Sequence, residues 1–128
     1  VEGWTDRVAT TLSKKGEAPM ARYMVQAAYT AEAIATLVGN PQDRAQGLRA
    51  LIERLGGRME TFDYCLGEYD VMVTFSAPDD TSAVAIALAV AAPGHLKGTK
   101  TTTLIAPDEF VAASRKAGAV NYQAPSRG

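Results

Sequence analysis

Between Arg58 and Ser76 the chain has few ways to fold. Two β-prone runs, Arg58 to Leu66 and Asp70 to Ser76, are separated only by Gly67, Glu68 and Tyr69. Strands this close in sequence pair antiparallel, because a parallel return needs a crossover of about a dozen residues or more. Alternation places Phe62, Tyr64 and Leu66 on one face of the first strand, with Met59, Thr61 and Cys65 on the other. In the second strand Val71, Val73 and Phe75 oppose Met72 and Thr74. Gly67 is expected to take the left-handed conformation of a tight turn. The hairpin so predicted carries apolar side chains on both faces, and each face needs a cover.

The flanking sequence supplies the rest of the sheet. Arg22 to Tyr29 alternates as a strand, with Tyr23, Val25, Ala27 and Tyr29 on one side. Thr30-Ala31-Glu32-Ala33-Ile34 starts one helical turn. A second helix is expected with Asn40 as cap and Pro41 at its first position. In it Leu48, Leu51, Ile52 and Leu55 make one apolar stripe, and Gly56-Gly57 stops the helix. Ala77-Pro78-Asp79-Asp80 caps an alanine-rich helix from about Thr81 to Ala92, and Pro93-Gly94 ends it. Thr99 to Ile105 is a β-branched fourth strand. Pro107-Asp108-Glu109 opens a last helix through about Ala117, with Phe110, Val111 and Ser114 expected on its inner face. The order β-α-β-β-α-β plus a terminal helix predicts an α+β, ferredoxin-like fold: an antiparallel four-stranded sheet with two helices on one face. Two helices cover one side only. The open side is therefore expected to meet a second copy, face to face, in a homodimer or higher oligomer.

Composition narrows the function classes. The 128 residues are 47% apolar and 21% charged, as in an ordinary globular domain, and the net charge of -1 offers no broad basic surface for nucleic acid. One cysteine rules out an internal disulfide, and one histidine beside it rules out a Cys/His zinc cage. The longest apolar run, Ala83 to Ala92, is too short to span a bilayer. A cytoplasmic protein without nucleic-acid or membrane partners is expected. Residues 1–19 read as an extension, in which Trp4, Val8 and Leu12 recur at helical spacing. Met20-Ala21-Arg22 reads as a natural start, so the domain is placed at residues 20–118 and a loose tail at 119–128.

With the elements in place, Gly67-Glu68-Tyr69-Asp70, followed by a strand and Ala77-Pro78-Asp79-Asp80, resembles the GYD domain family. Leu55-Gly56-Gly57, Lys100-Thr101-Thr102-Thr103-Leu104 and Tyr29-Thr30 fall where that family's pattern places a helix end, the last strand and the end of the first strand. The likeness runs from Met20 to about Gly118. It implies a ferredoxin-like fold of the dimeric α/β-barrel type and no particular reaction, and the segment before Met20 is not part of the pattern.

Candidate ligand-binding residues are Tyr23, Tyr29, Tyr64, Glu68, Tyr69, Asp70 and His95. The tyrosines combine apolar bodies with polar tips, as small-molecule pockets do, although the same residues serve equally as core and interface. Tyr29 stands at a strand–helix junction, where a pocket mouth would fall. In the tetrapeptide, Glu68 and Asp70 are candidate ligand contacts with Tyr69 as donor; the plainer roles are packing for Tyr69 and a turn hydrogen bond for Asp70. His95, the lone imidazole, is a candidate base or ligand contact in a loop. Cys65 reads as a small buried residue. Lys97 and Lys100 are too few for a phosphate patch, and Gly94-His95-Leu96-Lys97-Gly98 lacks the Lys-Ser/Thr and helix of a phosphate loop, so no cofactor and no metal is indicated. The residues favour a homo-oligomeric small-molecule-binding or regulatory module. The competing readings are a cofactor-independent enzyme, oxygenase or isomerase in type, and a structural assembly subunit.

Overall fold

The computed structural model describes residues 20–126. The expected Trp4 to Leu12 helix, and the last two residues of the tail, lie outside them. Element order is β1 (Ala21–Tyr29), α1 (Ala31–Gly39), α2 (Arg44–Arg54), β2 (Arg58–Tyr64), β3 (Val71–Ala77), α3 (Asp80–Ala91), β4 (Leu96–Leu104) and α4 (Pro107–Gly118). The strands form one sheet in the order β2-β3-β1-β4, every pair antiparallel. This is the ferredoxin-like α+β arrangement, with β3 inserted between β1 and β2.

The core lies between the sheet and helices α2 and α3. Tyr23, Val25 and Tyr29 from β1, Met59 from β2, Val71, Val73, Phe75 and Ala77 from β3, Ile52 from α2, and Ala83 and Ile86 from α3 are buried together. Period-2 alternation on β1 and β3 turns these side chains to one face. On β2 the alternation is broken. The register with β3 shifts between Met59 and Thr61, so Met59 faces Phe75 while Phe62 faces Val73. Met59 thus joins Phe62 on the helix side instead of opposing it; the extra residue of a bulge resets the face.

Other expectations shift as well. Asn40 closes α1, donating its N–H to the Thr36 carbonyl, and Asp43 caps α2 with its carboxylate on the Ala45 N–H. Pro41 follows a helix end here instead of opening a helix. The β2–β3 connection runs from Cys65 to Asp70 and is closed at its base by the Cys65 N–H on the Asp70 carbonyl (2.7 Å). That longer loop needs no left-handed glycine at Gly67; the described glycines with positive φ are Gly56 (86°) and Gly94 (85°). Gly57 is required for a different reason: a Cβ there would lie 2.4 Å from the Ser76 carbonyl oxygen, where α2 turns into β2 against β3. The fourth strand begins at Leu96, ahead of the threonine run. α4 has no buried residue, and Phe110 and Val111 are exposed, so no described residue covers the inner face expected of it.

The open side of the sheet is more polar than the hairpin alone implied. Met24 and Met72 share it with Gln26, Thr74, Thr102 and Lys100. An Arg22–Glu60 ion pair (3.0 Å) and a Thr61–Thr74 hydroxyl pair also lie on this part of the sheet.

Candidate functional site

The stripe Leu48, Leu51 and Ile52 brings α2 down on the sheet, and Ile86 does the same for α3. The alanines of α3 are too small to fill the space between the two helices. A cavity of about 170 Å³ remains, floored by Val25, Val73 and Phe75 and walled by Leu48, Ile86 and Val90. Among the described residues its polar lining is Tyr29, Arg44 and His95. Tyr29 comes from the last position of β1, Arg44 from the first turn of α2, and His95 from the residue before β4.

The backbone fixes Tyr29 from two sides. The β1–β3 ladder ends at Ala27 and Val71, and the register with β4 shifts between Ala28 and Tyr29, so the ladders leave the Tyr29 N–H to find another partner. Asp70 supplies it: its Oδ2 accepts the Tyr29 N–H at 2.8 Å, while its own N–H donates to the Ala27 carbonyl (2.9 Å). One residue on, the Thr30 N–H donates to the His95 carbonyl (2.9 Å), which ties the start of α1 to the start of β4. The Tyr29 and His95 rings stand 6.1 Å apart, tilted by 32°.

Burial raises the Tyr29 phenol above its usual pKa, helped by the adjacent Tyr64 hydroxyl and opposed by the Arg44 guanidinium. Tyr29 therefore stays a neutral O–H donor near neutral pH. Arg44 is exposed at the rim, and its Nη1 donates to the neutral Gln42 Oε1 at 3.2 Å. An apolar chamber with a phenol, a guanidinium and an imidazole at its mouth can bind and orient a small organic molecule.

The other candidates lie elsewhere. Tyr23 sits toward the opposite end of β1 and does not line the cavity; its hydroxyl donates to Asp80 Oδ1 (2.5 Å) at the start of α3. That hydrogen bond, followed by burial, pushes its pKa up to about 12. Tyr64 is exposed beside Phe62, its ring edge-on at 5.2 Å, and approaches Tyr29 from outside the cavity lining. Glu68 is exposed in the β2–β3 loop and Tyr69 is half-buried there; neither lines the cavity. Cys65 is half-buried just past the end of β2. Among the described residues no group of His, Cys, Asp and Glu is placed to hold a metal ion, and no helix is long and apolar enough to cross a membrane.

Arg44 was not singled out from the sequence, yet a signal for it exists. It precedes Leu48 and Leu51 by four and seven positions, which puts it on the apolar stripe of α2, one turn nearer the open end.

The family model of the GYD domain matches residues 23–113, from β1 into α4. The chain belongs to the GYD domain family. Within this GYD domain the Gly67-Glu68-Tyr69-Asp70 segment has a visible task, since its aspartate anchors the backbone of Tyr29. Among solved structures the GYD chain is similar to MtbAldR, with 12% identity, a TM-score of 0.48, and coverage of 82% of this chain and 69% of that one. Comparison with curated proteins gives no match.

Proposed function

We propose that this GYD domain is a homo-oligomeric cytoplasmic module that binds a small organic molecule in the cavity between α2, α3 and the sheet. The observation that carries the reading is the cavity itself: preformed, apolar in its depth, and polar only at Tyr29, Arg44 and His95. A concave site of about 170 Å³ is roomy enough for a small organic body. Binding, not turnover, is favoured because the polar lining is sparse. Acid–base catalysis on a bound substrate generally engages several convergent groups, whereas one imidazole beside one neutral phenol does not make such a set. The single cysteine, without a disulfide partner, suits a reducing compartment.

Ala87 lines the cavity from α3, and Ala87→Phe would put a ring into the void. Native mass spectrometry of gently purified protein should show a discrete small-molecule mass on the wild type and none on the variant, with the variant's melting temperature at least maintained. A folded Ala87→Phe protein that still carries the same mass would refute the cavity as the binding site.

An assembly role is the second reading, supported by the exposed apolar side chains of α4. The two are compatible, because the cavity opens between helices and the sheet's free face lies on the other side.

A further inference from the structure

We propose that the cavity takes a small apolar monocarboxylate, with its hydrocarbon body inside and its carboxylate held at the mouth by Arg44, the Tyr29 hydroxyl beside it. The inference rests on the small-molecule reading of this cavity and specifies the chemistry of its ligand.

Three observations lead there. First, among the described residues no aspartate or glutamate lines the cavity; its polar groups are a guanidinium, a phenol and an imidazole. A cationic ligand would meet Arg44 with no acid to receive it. Second, among the described residues Arg44 makes no ion pair with an acid. Its hydrogen bond goes to the amide oxygen of Gln42, and the ion pair seen among the described residues joins Arg22 to Glu60. Asp43, beside Arg44 in sequence, turns Oδ1 to the Ala45 N–H, and Asp70 Oδ2 accepts the Tyr29 N–H. Third, the volume is small. About 170 Å³ compares with the roughly 150 Å³ of an apolar cavity that takes up benzene, so a body of about six to eight carbons fills it.

A guanidinium at the rim matches a carboxylate in shape as well as charge, since two parallel N–H groups meet two oxygens. Only one such group is present, and the walls behind it are Val, Leu, Ile and Phe. A second negative charge carried on the hydrocarbon body would have to enter the apolar depth of the site, which disfavours it. The neutral phenol of Tyr29, anchored through its backbone by Asp70, stands on the sheet side of the site, its hydroxyl already paired with that of Tyr64.

The test is isothermal titration calorimetry with two matched pairs, phenylacetate against phenylacetamide and 4-methylpentanoate against its amide, on wild type, Arg44→Gln and Ala87→Phe. At least one acid should bind wild type about ten-fold more tightly than its amide, and Arg44→Gln should remove that preference by weakening the acid more than the amide. Ala87→Phe should abolish binding of both. Equal affinity for acid and amide in the wild type, or a preference that survives in Arg44→Gln, would overturn the carboxylate assignment and leave the cavity reading standing. Acid binding retained in Ala87→Phe would overturn the assignment by placing the acid outside the cavity. No binding of any of the four compounds at about 10 mM would overturn the carboxylate assignment, while the small-molecule reading stands or falls on the mass retained in native mass spectrometry.

Discussion

Asp70 shows how one side chain can matter without touching a ligand. It stands where the β1–β3 ladder stops and takes over as acceptor for the next buried donor, the N–H of Tyr29. Removing it strands that donor in a residue only 8% exposed. A buried unsatisfied amide costs about 1–3 kcal/mol. Asp70→Ala should therefore lower unfolding free energy by about that amount, read by urea titration, while Asp70→Asn, which keeps an acceptor oxygen, should lose less than about 1 kcal/mol. Equal losses for the two variants would mean that charge, not the acceptor, sets the role. Tyr23 illustrates the same economy at the other end of β1, where its hydroxyl ties the sheet to Asp80 and the start of α3.

At the scale of elements, α2 and α3 divide the labour. α2 is amphipathic, capped by Asp43, and rests on the sheet through one stripe. α3 is apolar nearly all round; Ala83 and Ile86 are buried, while Val84 and Leu88 face outward and are exposed. Small residues let α3 approach the sheet closely, and the same smallness leaves the void between the helices. Gly47 contributes to it from α2, where a Cβ would meet nothing within 4 Å. Alanine there removes the helix-interior cost of glycine, so Gly47→Ala should raise stability by about 0.5–1 kcal/mol. Thermal unfolding checks this. A loss of stability would show that the helix is closer to the sheet than the open space at Gly47 allows.

At the scale of the molecule, the exposed apolar side chains are a feature that packing among the described residues does not explain. Ile34 and Val38 on α1, Val84 and Leu88 on α3, and Phe110 and Val111 on α4 are all exposed. α4 has a capping arrangement at its start, with Pro107 and Glu109 in place, and Arg115 and Lys116 in its last turn, so it is a well-terminated helix with an uncovered apolar stripe. We propose that some of these side chains meet a second copy. Light scattering at micromolar concentration should give an integer multiple of the chain mass, and Met72→Asp, on the free side of the sheet, should lower it. Phe75 is unsuited to that experiment, because it is 1% exposed and lies under the helices. A monomeric wild type would end the homo-oligomer reading.

The fold was legible in the chain because its signals are local. Alternation at Tyr23, Val25 and Ala27, the stripe from Leu48 to Leu55, and the short spacing between β2 and β3 each fix an element and its partner within a few residues. So was the Gly67-Glu68-Tyr69-Asp70 segment as a mark of family, though not its task. The bulge at Met59, the cap at Asp43 and the unpartnered α4 were not legible, since each depends on which neighbour competes for a backbone group or a face. The site was legible only in fragments. Tyr29 and His95 could be named as candidates, but 66 positions separate them, and Arg44 lies between. Residue types and local order determined the sheet and its helices. Only the packing of α2 and α3 over that sheet decided that these three side chains share one mouth, because a cavity is what close packing leaves over and has no local signature in the chain.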